Sequence, residues 1–442
     1  MRKIKIILSG LLIFLIPSVF TLCGSNKPSE EPEIPVQPEE SDGCPRFIVI
    51  SDTHFGNSAG RGPMEKVPRA LKNLTGKTPE ADAVFVVGDI TEGGESRQYD
   101  QLLSVFGDRA NVPEGMPVYF MMGNHDNFSG ANAASLYLSK TEQPLNQYII
   151  IKGYPFITVS ETGSDQNDFN AAAVKFLADN LAKAAKDYPG KPVFVFIHVP
   201  TINTTYGSVV SGALPDGGWC TDRFKSTLDK YPQTVVFSGH THYPLGDPRS
   251  IHQDRFTAIN TASTTYSEVE PNIELSGGTL PNGCENITEG LIVTVKENGD
   301  VELERWDTHR NEEIAPRWLL QAPHDGTAFA YKNRTGGTAP AFAGNAQPTV
   351  GNIAFGACSV SFPQASDDEL VHHYKVEILN GNTVAAKHVI FSGFYLNSDM
   401  PATLTVDFTG LSASTSYTAR VTAYDSYRRP SQPIRAVFRT AE

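Results

Sequence analysis

Hydrophobic and polar positions along this chain fall into two regimes. Between Arg46 and Trp306, short apolar runs alternate with amphipathic stretches. Phe47–Ser51, Ala83–Val87, Val118–Met122, Val193–Ile197 and Val235–Ser238 have the length and the β-branched or aromatic content of buried strands. Pro63–Leu74, Arg97–Phe106, Thr221–Lys230 and the Ala-rich Asn170–Lys186 read as helices, the last with apolar residues recurring near the 3.6-residue period. Tyr148–Ser160 supplies one or two more strands. Phe256–Asn260, Leu291–Val295 and Val301–Trp306 read as antiparallel strands, with Asn298-Gly299 as a hairpin turn. Parallel units followed by a hairpin region predict a layered α/β sandwich.

Periodicity is lost from Gln321 to Pro340, where Gly336-Gly337-Thr338 marks a boundary. The pattern beyond it is all-β. Cys358–Phe362, His373–Leu379, Val384–Phe391, Thr403–Phe408, Tyr417–Tyr424 and Ile434–Arg439 are short runs separated by turns. The stretch Gly410–Val421, with Leu411 and Tyr417, resembles the fibronectin type III pattern. That resemblance implies that Leu411 and Tyr417 clamp a corner and that Phe362 replaces a strand-B Trp. His372, His373 and His388 are expected at the surface or at a sheet edge. The predicted organisation is a signal peptide (1–22), a Pro/Glu-rich tether (23–43), an α/β domain (44–322), a linker (323–338) and a β-sandwich (339–442).

The leader reading rests on basic Arg2, Lys3 and Lys5 ahead of the apolar stretch Ile6–Leu22. Cys23, followed by Gly24-Ser25-Asn26, resembles a bacterial lipoprotein acylation site. Leu22 departs from the usual small residue before that cysteine, so plain secretion is the rival reading. The expected location is therefore exported, at a bacterial membrane through an N-terminal lipid anchor. Residues 25–42 have too few apolar side chains to fold and read as a tether.

The whole chain has 442 residues, 40% hydrophobic and 19% charged, with a formal net charge of −13. That length implies more than one core. The acidity argues against general nucleic-acid binding but leaves phosphate substrates open, because bound metal supplies local positive charge. Cys44, Cys220, Cys284 and Cys358 show no CxxC spacing, which speaks against structural zinc. A Cys220–Cys284 disulfide and four buried thiols are both compatible with export.

Metal-ligand chemistry collects in five segments: Asp52-Thr53-His54, Gly88-Asp89, Gly123-Asn124-His125-Asp126, His198 and Gly239-His240-Thr241-His242. Each lies at or next to the end of an apolar run, where α/β sheets gather ligands. Residues two apart on an extended segment point the same way, so Asp52 and His54 can address one point, as can His240 and His242. One such segment alone would mean little. Yet the first five of the chain's 11 histidines fall in these segments and none of the other six does, a clustering that packing does not explain.

On these five blocks, residues 46 to about 310 resemble the calcineurin-like metallophosphoesterase family, in its Gly-His-x-His branch. The resemblance implies a four-layer α/β sandwich, followed here by an all-β, immunoglobulin-like sandwich. It also implies two divalent cations. Asp52, His54 and His242 would bind the first, Asn124, His198 and His240 the second, and Asp89 would bridge them. Mixed nitrogen and oxygen donors suit Mn, Fe, Zn or Co better than Ca. Two such ions ~3.5–4 Å apart acidify a shared water towards a pKa of ~7, giving a hydroxide for in-line attack on phosphorus. By family position, His125 faces the leaving group as a proton donor. Asp126 either orients that imidazole or caps a turn.

Substrate choice is less legible. The irregular loop from Pro200 to Cys220 offers Tyr206 and Trp219 for stacking, and Arg97, Arg249 and Arg255 are candidate phosphate clamps; ordinary packing and solvated charge are the competing readings. The function expected is phosphate-ester hydrolysis, leaning towards diesters. A phosphomonoesterase acting on nucleotides or sugar phosphates is the alternative among enzymes. A catalytically inactive surface binding lipoprotein is the alternative from another class.

Overall fold

The computed structural model describes residues 43–57, 62–162, 169–208, 220–269, 280–281 and 283–442. The leader, Cys23, the tether up to Asp42, and Trp219 lie outside the described residues. Among the described residues, twelve strands and five helices form the first part of the fold. They are β1 (Arg46–Ile50), α1 (Pro63–Lys77), β2 (Ala83–Val87), α2 (Ser96–Phe106), β3 (Val118–Met121), α3 (Ala133–Thr141), β4 (Asn146–Ile151) and β5 (Tyr154–Val159). Then come α4 (Ala171–Asp187), β6 (Val193–Ile197), α5 (Lys225–Leu228), β7 (Thr234–Ser238), β8 (Ile251–Gln253), β9 (Thr257–Asn260), β10 (Glu289–Val295), β11 (Val301–Asp307) and β12 (Glu312–Leu320).

The strands make two six-stranded sheets, ordered β12-β11-β10-β1-β2-β3 and β4-β5-β6-β7-β9-β8. Alternation within each strand builds four layers. Phe47 and Val49 of β1 point between the sheets, into a core shared with Phe156, Phe194, Phe196 and Phe237. Ile48 and Ile50 point outwards, onto Val67, Leu71 and Leu74 of α1 and Tyr99 and Leu102 of α2. The second sheet mirrors this, with Ile157, Val195 and Ile197 under Leu177 and Leu181 of α4. The two sheets meet through aromatic rings, Phe85 stacking on Phe196 at 4.2 Å. Burying one such side chain is worth roughly 1.5–3 kcal/mol.

Parallel pairing sets the position of the site. β1 pairs in parallel with β2, and β2 with β3, so their C-terminal ends are level along one edge. β6 and β7 are parallel as well, and end on the same side of their own sheet. Asn170 caps α4, its Oδ1 accepting from the Ala173 amide at 2.9 Å.

Several expectations need correction. Thr221–Lys230 is helical only over Lys225–Leu228, because Thr221 instead bridges to Thr201. β9 runs parallel to β7 and is antiparallel only to the short β8. Helix α3 and strand β12 were not predicted; α3 has only a weak apolar stripe, and β12 is exposed along one face.

The C-terminal sandwich has seven strands: β13 (Thr349–Ala354), β14 (Ala357–Pro363), β15 (Val371–Asn380), β16 (Thr383–Phe391), β17 (Thr403–Phe408), β18 (Ser416–Asp425) and β19 (Ile434–Arg439). They split into sheets β13-β14-β17 and β16-β15-β18-β19, a division that resembles fibronectin type III. Tyr417 accepts a hydrogen bond from the Ser412 amide at 2.9 Å, clamping the corner before β18. Phe362 is buried against Tyr374 at 5.0 Å. β13 escaped prediction because its residues are mostly exposed and lack an apolar face.

The histidines of β15 are the clearest correction. His372 and His373 are buried, not at an edge or surface. His373 stacks on Tyr424 at 4.8 Å, and His372 packs on Phe391 and Phe394. Among the described residues no disulfide forms; Cys220 and Cys284 are buried and not joined to each other.

Candidate metal centre

The five motif segments converge at the level strand ends, and hydrogen bonds knit them together. Asp52 and His54 donate their amides to the Gly88 and Asp89 carbonyls at 3.2 and 2.9 Å. The Gly239 amide reaches the His198 carbonyl at 3.0 Å, and the His240 amide reaches Asp52 Oδ1 at 3.2 Å. The backbone is tightly wound here. Asp52, His54, Asp89, His240 and His242 all have positive φ, between 45° and 70°. Non-glycine residues rarely adopt this conformation, and strain of that kind collects at functional sites. Asp52 and His54 therefore converge through left-handed kinks just past β1, not through the pleat of an extended strand as expected, and His240 and His242 do the same past β7. The glycines make room: a Cβ on Gly123 would collide with Asp89 Oδ1 and the His198 ring, and one on Gly239 with Asp52 Oδ2.

Among the described residues, two buried triads, Asp52–His54–His242 and Asp89–His198–His240, have donor atoms close enough to share one ion, as does a third, half-buried group at the rim, His54–Glu92–His125. His242 Nε2 lies 3.0 Å from Asp52 Oδ1 and 3.3 Å from His54 Nε2. His198 Nε2 lies 3.1 Å from Asp89 Oδ2 and 3.2 Å from Asn124 Oδ1. The same Asp89 oxygen is 3.9 Å from His54 Nε2, so this carboxylate stands between the triads.

The histidines are aimed from behind. His198 Nδ1 faces the Val87 carbonyl at 2.8 Å, and His242 Nδ1 faces the Tyr266 carbonyl at 3.2 Å. A carbonyl only accepts, so both Nδ1 atoms carry a proton and both Nε2 atoms point inwards. His54 Nδ1 meets Glu92 Oε2 at 2.9 Å with the same result. Outward hydrogen bonds that fix the tautomer are the usual support for metal-ligating imidazoles. Two inward Nε2 atoms 3.3 Å apart beside a carboxylate call for a shared proton or a metal cation between them. The donor set therefore fits divalent metal.

The electrostatics agree. Burial would raise the Asp52 and Asp89 carboxyls, but the His242 and His198 imidazoles outweigh it and hold both below the usual range. Burial would lower His198, but Asp89 and Asp52 raise it to about 10, so in the metal-free pocket Nε2 holds a proton that a bound cation would displace. Burial and neighbouring His198 push His240 down to about 3.

The remaining candidates have distinct places. His125 is at the rim, its Nδ1 3.0 Å from the Glu92 carbonyl and its ring 4.7 Å from that of His54. Asp126 does not orient that imidazole. Its fully buried carboxylate accepts from the amides of Ile90, Thr91 and Gly123 and from Thr91 Oγ1, at 2.6–3.1 Å, tying the Asp89 loop to the Asn124 loop. Burial and the charge of Asp89 push this carboxyl up to about 7, against the pull of those donors. Arg249 is no phosphate clamp: it forks onto Asp247 and lies 3.5 Å over the Tyr206 ring, which is thereby occupied. Glu92 and Tyr266 were missed by sequence reasoning. Glu92 follows Asp89 on the same loop, but nothing in the sequence separates it from Glu95 nearby. Tyr266 acts through its carbonyl, which leaves no side-chain signature.

Comparison with known proteins reaches the same place. Residues 45–244 match the calcineurin-like phosphoesterase family. A protein of Rhodopseudomonas palustris named as a probable cyclic nucleotide phosphodiesterase is 29% identical over 215 residues, covering 45% of this chain and 72% of that protein. A Rhodococcus erythropolis protein of the same name is 23% identical over 246 residues, covering 52% and 74%. Among solved structures, a purple acid phosphatase from yellow lupin seeds aligns with a TM-score of 0.47 at 12% identity, covering 64% of this chain and 54% of the lupin chain. Residues 45–244 thus form a calcineurin-like metallophosphoesterase domain, that of a hydrolase, with a candidate His/Asp metal site at its strand ends.

Proposed function

We propose that this protein hydrolyses phosphodiesters, with Asp52, His54 and His242 holding one divalent transition-metal cation, Asn124, His198 and His240 a second, and Asp89 shared between them. The observation that carries this reading is the pair of adjoining triads with their imidazole Nε2 atoms turned inwards. Bound cations supply Lewis acidity towards the phosphoryl oxygens. The chain's own groups do the rest. Glu92 and the Val87 and Tyr266 carbonyls hold a proton on each Nδ1 and keep the imidazoles aimed. His125 donates a hydrogen bond from Nδ1 to the Glu92 carbonyl, and as the imidazolium it would carry a second proton on Nε2 to pass to the departing oxygen. Asp126 keeps the Asp89 and Asn124 loops in register. The complete Gly-His-x-His segment and the names of the two bacterial relatives favour diesters over monoesters. No motif ligand is missing, which weighs against an inactive binding lipoprotein.

The test is metal analysis together with hydrolysis of bis(p-nitrophenyl) phosphate and p-nitrophenyl phosphate, with Mn, Zn, Fe or Co supplied. Faster turnover of the diester is expected. Preference for the monoester would favour the phosphomonoesterase reading, and no turnover of either would favour a binding role. His125→Ala should retain metal while losing about 10²-fold or more in kcat; loss of metal instead would make His125 a ligand. We further propose export and acylation at Cys23, supported by the basic and apolar leader. Mass spectrometry of the mature N-terminus would show the lipid or, against the proposal, a cut without one.

A further inference from the structure

The β-sandwich touches the loops that carry and support His242 through two routes. The first is apolar. Phe391, Phe394 and Tyr395 of the sandwich share a buried cluster with Val269 and Ile287 of the α/β domain. Val269 closes a short strip that begins at Tyr266, whose carbonyl accepts from His242 Nδ1, and includes Glu268, whose amide donates to the His242 carbonyl at 3.0 Å. One end of this strip holds the imidazole and the other is covered by the sandwich.

The second route is polar. Asn397 donates Nδ2 to Asp307 Oδ2 at 2.9 Å. Asp307 on β11 is the cross-strand partner of Glu289 on β10. Glu289 is fully buried and accepts from the Leu245 amide at 2.6 Å. Leu245 is three residues past His242, and a Cβ on the next residue, Gly246, would come within 3.9 Å of Asn397 Oδ1. Asn397 thus caps a pair of carboxyl groups that pins the chain leaving the metal loop. It does so from a strained backbone, φ 50° and ψ −118°, a turn conformation that glycine adopts freely. An aspartate there would set a third carboxyl beside Asp307 and Glu289; the amide is the group that fits.

We infer that Asn397 is a positioning residue for the metal centre and that the sandwich is part of the catalytic unit. This rests on the metal-centre reading above. The strain makes the test discriminating. Asn397→Gly relaxes the backbone while removing the amide, so a purely structural role predicts no loss, whereas positioning predicts a functional loss without unfolding.

The experiment uses the full chain loaded with Co(II) and assayed on bis(p-nitrophenyl) phosphate. Asn397→Gly should lower kcat about tenfold, as loss of an outer support to a metal site does. KM should stay within about twofold, and the cobalt absorption bands should shift. Phe362→Leu, which loosens the sandwich core away from the seam and keeps the amide, should lower the melting temperature and leave kcat and the cobalt bands in place. Wild-type kcat and spectrum in Asn397→Gly would overturn the inference, as would equal losses in both variants. An arm needing no variant is amide exchange in the metal-free wild type: residues 243–247 and 394–398 should exchange at one common rate, and separate rates would overturn it. The cobalt spectrum and the exchange arm read out even if the protein hydrolyses no phosphodiester, so the two readings fail separately.

Discussion

At the residue scale, Glu92 does the work of two groups. One carboxylate oxygen accepts from His54 Nδ1 and from Asn57 Nδ2 at 2.9 and 3.1 Å, while the backbone carbonyl holds His125. Glu92→Ala should weaken the metal held by Asp52, His54 and His242 by about 10–100-fold in a metal titration. Glu92→Gln should weaken it less, since its amide oxygen still accepts from Nδ1. Asp126 supports backbone where Glu92 supports rings. Asp126→Ala strands three buried amide protons, so denaturant unfolding should show a loss of roughly 3 kcal/mol or more. Phe128 is 52% exposed, and its ring lies 4.6 Å from that of His125, on the rim where a leaving group departs. Phe128→Ala should raise KM for aryl diesters several-fold more than for alkyl diesters, seen by comparing the two substrate series.

At the element scale, β15 carries a pH-sensitive pair into the seam between the domains. Burial, with Arg249 next, drives His372 far below the usual imidazole range and His373 down to about 3. Arg428 faces both imidazoles and Lys375 also opposes a proton on His373. The unfolded chain takes up these protons near pH ~6.5 and the fold refuses them, so the unfolded state binds more protons below that point. Stability is therefore full above pH ~7 and falls with acid, by up to about 1.4 kcal/mol per pH unit for each imidazole. Urea unfolding of metal-free protein at pH 5 and 7.5 should show this loss. His373→Phe, which keeps a ring on Tyr424, should reduce it; an unchanged pH slope would remove His373 as its source.

At the scale of the whole molecule, the two folded parts share a hydrophobic cluster, buried polar contacts and an ion pair between Arg310 and Asp399 at 2.6 Å. Cores joined in this way should melt together. Calorimetry should record one cooperative transition for the full chain, where beads on a linker would give two. The four-layer architecture places the metal centre at the level ends of β1, β2, β3, β6 and β7, and the sandwich buttresses the loop that leaves it.

Apart from β8, β12 and β13, the strands of both domains were legible in the sequence, as were the motif residues of the candidate metal centre. Alternating apolar residues can satisfy two faces of a sheet in only a few ways, and five ligand-bearing segments at strand ends leave little else to explain. What the sequence did not carry was which groups stand behind the ligands. Glu92, Tyr266 and Asn397 matter through contacts with residues distant along the chain or through a carbonyl, and neither periodicity nor composition encodes such contacts. The sequence likewise placed His372 and His373 outside, because a strand whose exposed face is covered by another domain looks like any half-buried strand. Local pattern determined which elements form and what chemistry they bear; only their packing decided which atoms face each other, since hydrogen bonding and burial depend on distances in space.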